Sequence, residues 1–520
     1  MIPLLLLWLR AAGLVGQAVA VGGTIFALVV LRAAPGRHVP HALGWTLGLA
    51  ATGATVAALA QGGLLAALAA TLGDGESGWP TAALLASSVG AGALVRLAAA
   101  LAVLFGALAL HRTPASRMRA ALLVGAAVAL SVTGTFASHA MGRLDGRAWL
   151  LAVTALHQVA AGAWVGGLVC AALLAVRADA ATARAWLRPF SAVAAAAVGT
   201  LALSGLALCL AYVVTPELAV GTSYGSMVLT KSVLFTALLV MGALNHRAVH
   251  GRAVADPVRL SRRLEVEAGL AVVALLLAAS IGSASPAVDV GVQATLPEIR
   301  ALFTPKWPRL STPTLAELTA ASDLADPDSP RTAEITAWSE FGHNVAGLFV
   351  LAMGVLATLQ RTGRARWARH WPLLMIVLAG FVAYSVDPEG WQTGAVGFWE
   401  HWKSPEVLQH RILLGLTALL GLAEWRVHSG RPPAEAWRYV FPAVTICSGI
   451  LLLTHLHEVS DGRSAFFMEL SHLPLGLLSL LAGWSRWLEL RLPPGSSGPG
   501  RLWGPALAAF GLLLIFYREP

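Results

Sequence analysis

The sequence predicts an all-α protein, a polytopic transmembrane helical bundle of about fourteen helices. Hydrophobic residues make up 57% of the chain and charged residues only 12%, which is about half the charged fraction usual in soluble domains. The mean hydropathy is +0.70. The apolar residues fall into runs of about 18 or more, the length that crosses a bilayer as a helix.

The predicted spans form two groups along the chain. Their approximate centres lie near residues 20, 55, 100, 128, 163, 202, 237 and 273, and then near 349, 379, 416, 447, 478 and 509. A long polar stretch rich in Pro, Asp and Thr separates the groups. We therefore predict an eight-helix module over 1–285, an external loop or cap over 286–338, and a six-helix module over 339–520. The first apolar run lacks a preceding basic region, so we expect it to stay as a helix rather than act as a cleaved signal peptide.

The orientation follows from the arginine residues, which concentrate in alternate connections, as with Arg112, Arg117 and Arg119 after the third span. The positive-inside rule puts these connections in the cytoplasm and the others in the periplasm or at the cell exterior. The net charge of +9 thus reflects membrane orientation and lipid contact, and no nucleic-acid partner is expected.

Histidines are unevenly placed in this topology, because eight of the fifteen fall at or near the outer ends of the predicted helices. Neutral imidazole is the commonest protein ligand of transition metals and also a haem ligand. Ionisable residues inside a membrane usually mark a functional site. The pattern therefore indicates a protein that meets a metal from outside. The eight residues are His139, His157, His343, His401, His410, His455, His457 and His472.

Three motifs carry a family resemblance. They are TALHQVAAGAWVGGL (154–168), GTSYGSMVLTKSVLFTALLVMGALNHR (221–247) and RRLEVEAGLAVVALLLAASIGSASPA (262–287). In order and spacing, the region of about 150–287 resembles the copper resistance D family. The resemblance implies an inner-membrane protein of copper resistance or uptake that works with a periplasmic copper-binding partner. The chain has eight methionines and no Met-rich motif, so histidine must supply most of any copper coordination.

In the first half, His157 is the leading candidate ligand, and His139 ends the preceding helix on the same side. Two adjacent antiparallel helices can bring such a pair to one copper ion, with Met141 as a possible third ligand. Lys231 and Glu267 are ionisable residues within predicted spans. They form either an ion pair or a proton path, and the ion pair is the favoured interpretation.

The second half is richer in candidates, because histidines at one depth lie on four predicted helices. The proposed metal ligands here are His343, His410, His455, His457 and His472, with His401, Glu458 and Glu469 nearby. Such convergence suits a copper site and equally the axial ligation of haem b. His455 and His457 are two residues apart and point to different sides of a helix, so we do not expect them to share an ion.

The remaining histidines, including His246, His250 and His428, lie among cytoplasmic arginines. We interpret them as lipid-headgroup or solvent contacts, because positive neighbours disfavour cation binding. The three cysteines lie in apolar spans without CxxC spacing and are interpreted as small core residues: Cys170, Cys209 and Cys447.

Three functions remain open from the sequence. The leading one is a copper-importing or copper-transferring membrane protein, and the others are a haem-bearing electron carrier and an assembly factor for a cuproenzyme. No Walker A motif is present, so we do not expect primary active transport. We also expect that the protein is not an enzyme. The direction of transport, the copper valence and the oligomeric state stay open.

Overall fold

The computed structural model describes residues 2–34, 39–72, 81–251, 256–291, 293–321, 332–363, 365–390, 392–403, 405–430, 434–454, 462–493 and 498–519. The chain divides into two compact units, Met1–Gly291 and Val292–Pro520. No strand occurs within the described ranges. The predicted all-α class is therefore confirmed.

The first unit contains eight helices that are long and apolar enough to cross a membrane. Shorter helices, Thr81–Ala86, His139–Gly142 and Pro216–Gly221, lie between some of them. The eight are α1 (Leu5–Ala33), α2 (Val39–Leu72), α3 (Ser88–Arg112), α4 (Arg117–Ala137), α5 (Arg147–Ala175), α6 (Ala180–Tyr212), α7 (Ser223–His250) and α8 (Pro257–Ile281).

The second unit adds three such helices, two shorter apolar helices and one further helix of 24 residues. In chain order these are α9 (Ala333–Arg361), α10 (Leu373–Ser385), α11 (Pro405–His428), α12 (Glu435–Thr454), α13 (Arg463–Arg491) and α14 (Pro499–Ile515). Every predicted span centre falls inside one of α1–α14, so the polytopic membrane architecture is confirmed.

Helices α1 and α5 pack through glycines that bring their backbones into contact. A Cβ atom on Gly166 would lie 1.9 Å from the carbonyl oxygen of Ala18, and one on Gly22 would lie 2.3 Å from that of Gly162. Small residues allow this close approach in membranes, where packing rather than hydrophobic burial holds helices together. The same part of α5, Gly162–Gly166, forms a π-helical turn, a feature that is frequent at functional sites.

We predict that Gly166→Ala destabilises the first unit by about 1–3 kcal/mol, because the added methyl group must displace the α1 backbone. The measurement is the thermal unfolding midpoint of the detergent-solubilised protein, which should fall. Gly199→Ala on α6 is the matched control, since no heavy atom lies within 4 Å of the Cβ position there. Equal midpoints for the two variants would contradict the close approach.

In the second unit, Asn344 ties the polar stretch before α9 to the end of α14. Asn344 is fully buried. Its Oδ1 accepts from the backbone N–H of Arg309 (2.7 Å) and from Nη1 of Arg518 (3.2 Å). Its Nδ2 donates to the carbonyl oxygens of Leu514 (3.2 Å) and Tyr517 (3.1 Å). One amide therefore fixes three chain segments at this end of the unit.

Ion pairs also hold the polar stretch before α9 to the helices of the second unit. The guanidinium of Arg309 donates to Glu340 on α9 (3.1 Å). Before it, the short helix Leu296–Phe303 begins with a capping box in which the Thr295 N–H donates to Glu298 (2.8 Å). This hydrogen bond lowers the pKa of Glu298 below its ordinary value, and the contact with Arg463 on α13 acts in the same direction.

We predict that Asn344→Leu exposes the segment around Arg309 to trypsin. The substitution leaves several buried groups without partners, a loss of about 1–3 kcal/mol. A loss of 1.4 kcal/mol corresponds to roughly tenfold more frequent local opening. The measurement is the rate of cleavage after Arg309 in the folded protein in detergent.

Thr417→Val is the control for this experiment, because Thr417 is half-buried on α11 and its hydroxyl bonds within its own helix in the described structure. Unchanged cleavage in Asn344→Leu would show that other contacts hold the segment.

Candidate metal centre

Two of the predicted ligands in the second unit lie around one aromatic ring. His343 is on α9 and His472 is on α13, and the ring of Tyr517 follows α14. The ring centroid of Tyr517 lies 4.1 Å from that of His343 and 6.3 Å from that of His472. With Glu519 these residues form what we call the outer histidine cluster.

Glu519 brings a negative charge to this cluster. Its Oε2 accepts from the hydroxyl of Ser339 (2.7 Å) and from the hydroxyl of Tyr517 (3.1 Å). Both His343 and Glu519 lie near enough to act electrostatically on His472. A carboxylate beside two imidazoles makes the cluster attractive to a cation.

The hydrogen bonds of the two histidines fix their tautomers. Nδ1 of His343 donates to the carbonyl oxygen of Ser339 (2.9 Å), and Nδ1 of His472 donates to that of Met468 (2.6 Å). A carbonyl oxygen only accepts, so each neutral ring carries its lone pair on Nε2. Metal-binding histidines commonly use this arrangement, in which one ring nitrogen donates to the backbone and the other binds the ion.

The other outer histidines of this unit have carboxylate partners. Nδ1 of His410 donates to Asp387 (2.9 Å), and Nε2 of His401 donates to Glu389 (3.1 Å). His455 and His457 lie outside the described residues. Of the predicted set, the described structure brings together His343 and His472.

The described residues do not form a preassembled metal-binding cage of the predicted kind. In the parts of the chain that the structure describes, no three His, Cys, Asp or Glu side chains gather closely enough to hold a metal ion. The outer histidine cluster is therefore a pair of imidazoles with a carboxylate nearby.

In the first unit, His157 is held by Ser204 of α6. The hydroxyl of Ser204 donates its one proton to the carbonyl oxygen of Thr200 (2.6 Å), so it accepts from Nδ1 of His157 (2.9 Å). The lone pair of the neutral ring is again on Nε2. Lys231 of α7 lies near enough to act electrostatically on His157, and its positive charge opposes cation binding there.

His139 has different surroundings from His157. Its Nε2 donates to the carbonyl oxygen of Ile281 (3.2 Å), and its ring packs against Tyr212 and Tyr224, with centroids 6.1 and 5.8 Å away. Met141 is 39% exposed. Neither His139 nor Met141 forms a hydrogen bond or a ring contact with His157 in the described structure, so a shared His139, Met141 and His157 site stays a prediction.

The favoured ion pair between Lys231 and Glu267 is wrong. Glu267 accepts from Nδ2 of Asn245 (2.6 Å). Asn245 lies 14 residues after Lys231 on α7, about 21 Å along the helix axis. Lys231 and Glu267 thus belong to different depths of the membrane.

The interpretation of His428 as a lipid or solvent contact is also wrong. Its Nε2 lies 3.0 Å from Glu424, and its Nδ1 accepts from Gln360 (2.7 Å). Glu424 is 1% exposed and also pairs with Arg486 (3.1 Å). His428 is therefore part of a buried ionic network near the arginine-rich helix ends.

The interpretation of the three cysteines as small core residues is confirmed only for Cys170. Cys170 is buried, Cys209 is half-buried and Cys447 is exposed.

The first unit contains a layer of hydrogen-bonded polar side chains that the sequence analysis did not predict. Nε2 of Gln17 donates to Gln158 (2.9 Å), and Arg96 donates to Oε1 of Gln17 (3.0 Å). Gln158 follows His157 directly, so the layer adjoins that histidine. Gln17 and Gln158 are single uncharged residues in long apolar runs and were not singled out, whereas Tyr517 and Glu519 could have been recognised as the polar end of the last apolar run.

Comparison with known proteins agrees with the region of α6 to α8. The family model described as copper resistance protein D matches residues 184–281. No solved structure matches the chain.

A relative of known family matches this chain over a longer region than the family model does. Copper resistance protein D of Pseudomonas syringae pv. tomato is 30% identical over 225 residues, which cover 40% of this chain and 71% of the relative. The resemblance seen in the sequence motifs is therefore confirmed, and it indicates a copper-related function in a multi-pass membrane protein. The chain belongs to the copper resistance protein D family.

Proposed function

We propose that this protein transfers copper across the bacterial inner membrane, taking it from the periplasmic side and importing it. Membership of the copper resistance protein D family supports the choice of copper. The alternating arginine-rich connections support an orientation with the outer histidines facing the periplasm. A periplasmic copper-binding protein is the proposed donor.

The observation that carries this proposal is the outer histidine cluster. His343 and His472 both hold Nδ1 against a backbone carbonyl oxygen, which leaves Nε2 as the metal-binding nitrogen of each ring. Two imidazoles and a nearby carboxylate suit capture from a donor better than permanent retention. A site for transfer must release its ion, and a small ligand set favours release.

Electrostatics favours this cluster over His157 as the entry site. Glu519 attracts a cation toward His472, whereas Lys231 repels one from His157. We propose no catalytic residue, because the function needs no covalent chemistry.

We predict that His343→Ala and His472→Ala each lower the copper bound per protein at least about tenfold, as expected when one of few ligands is lost. The measurement is elemental analysis of copper and iron after mild-detergent purification from copper-supplemented cells. His111→Ala is the matched control and should keep its copper, because His111 is exposed in the last turn of α3, at a helix end that the predicted orientation puts in the cytoplasm. Each variant is compared with the native protein by gel filtration to establish that it is folded.

Equal copper in all four proteins would contradict entry at the outer histidine cluster. Stoichiometric iron with negligible copper would instead move the protein to the haem-bearing electron carriers. Normal copper content with unchanged accumulation in cells and an inactive client oxidase would identify an assembly factor.

A further inference from the structure

A cavity of about 220 Å³ lies among α5, α6, α7 and α8 of the first unit. Most of its wall is apolar, including Trp164 and Phe190. Four polar residues also line it, Ser191, Asn245, His246 and Glu267. Trp164 is seven residues after His157, so the cavity begins about two helical turns closer to the cytoplasm than that histidine.

Glu267 has few partners for a carboxylate in such a place. It is 4% exposed, and its Oε2 accepts from Nδ2 of Asn245 (2.6 Å). Gly242 leaves room beside Oε1, since a Cβ on this glycine would come within 3.3 Å of that atom. An ionised group inside a membrane bundle is expensive unless it is paired.

No lysine or arginine lines this cavity within the described residues. The titratable side chains on its wall are His246 of α7 and Glu267 of α8. Arg184 of α6 instead donates to the carbonyl oxygen of Ala248 (3.2 Å), and Arg262 of α8 pairs with Glu265 (3.0 Å). These two arginines thus have partners outside the cavity.

Asn245 supplies the second observation. It is 5% exposed, and its Oδ1 is buried without a hydrogen-bond donor in the described structure. A carboxylic acid and a primary amide form a ring of two hydrogen bonds, one N–H to O and one O–H to O. The bond from Nδ2 to Oε2 is already in place. A proton on Oε1 of Glu267 would supply the donor for the second bond.

We propose that Glu267 and Asn245 form a proton-binding site and that its proton crosses the membrane together with copper. Binding forms one O–H bond on Glu267, and release breaks it without moving electrons. This inference rests on the proposed function, for which it supplies the driving force, the inward proton gradient.

His246 provides the route to the cytoplasm. It lines the cavity, its Nδ1 lies 2.7 Å from the hydroxyl of Ser191, and its ring stacks on that of His250 with centroids 4.3 Å apart. Both histidines are exposed in the last turns of α7. A proton leaving Glu267 therefore has a titratable acceptor between the cavity and the helix end.

The first test measures the proton site without copper. Infrared spectra of the membrane-embedded protein, recorded across pH, should contain the C=O stretch of a buried protonated carboxyl group. Glu267→Gln should remove this band, and Asn245→Leu should shift its frequency because the amide bond to the acid is lost. Glu265→Gln is the matched control and should leave it unchanged. A band that persists in Glu267→Gln would overturn the proton site.

The second test measures coupling. Proteoliposomes receive buffered copper outside, with and without an inside-alkaline pH gradient, and the copper inside is measured at steady state. One proton per copper raises the accumulation ratio by about tenfold per pH unit. The native protein and Glu265→Gln should show this rise, and Glu267→Gln should not.

The two proposals fail in different ways. Copper uptake that ignores the gradient in the native protein, or that still responds to it in Glu267→Gln, would overturn coupling while the proposed function stands. No copper uptake under any condition would overturn the proposed function, and the infrared titration would then decide the proton site by itself.

Discussion

The apolar interior of the membrane requires every polar side chain in the bundle to find a partner, and this constraint organises both units. A group that lacks water must bond to protein or bear a large free-energy penalty. His157, His343, His410 and His472 accordingly each donate one ring nitrogen to a hydroxyl, a carbonyl or a carboxylate oxygen. The same bond that satisfies the ring also decides which nitrogen remains to bind an ion. Stability and metal chemistry are thus set by one interaction.

Two polar clusters of the first unit lie at different depths. Gln17, Arg96 and Gln158 surround the level of His157, whereas Asn245 and Glu267 lie about two turns or more toward the cytoplasm. The glycine-mediated contact of α1 with α5 lies between these levels. Such spacing suits a path in which different chemical groups act in sequence, because each level is separated from the next by tightly packed apolar residues.

The all-α class and the order of the long apolar helices could be predicted from the sequence because a bilayer selects long apolar runs regardless of tertiary contacts. The site could be predicted only in part. Lys231 and Glu267 looked like a natural pair, but depth along the helices separates them, and a sequence pattern does not reveal helix register. Tyr517 joined His343 and His472 through packing of α14, a contact between segments distant in the chain. The family resemblance in the region of α5 to α8 depends on short motifs that are continuous in the sequence, and it could therefore be recognised without a structure.

The π-helical turn at Gly162–Gly166 has a consequence for how α5 connects its two ends. A π-turn accommodates one extra residue, and one residue corresponds to about 100° of rotation on an α-helix. The turn therefore sets the angle between the face that directs His157 toward Ser204 and the face that directs Trp164 into the cavity. Loss or gain of a single residue in this turn would change that angle while leaving both halves helical, so the length of this short segment is as much a part of the site as the side chains themselves.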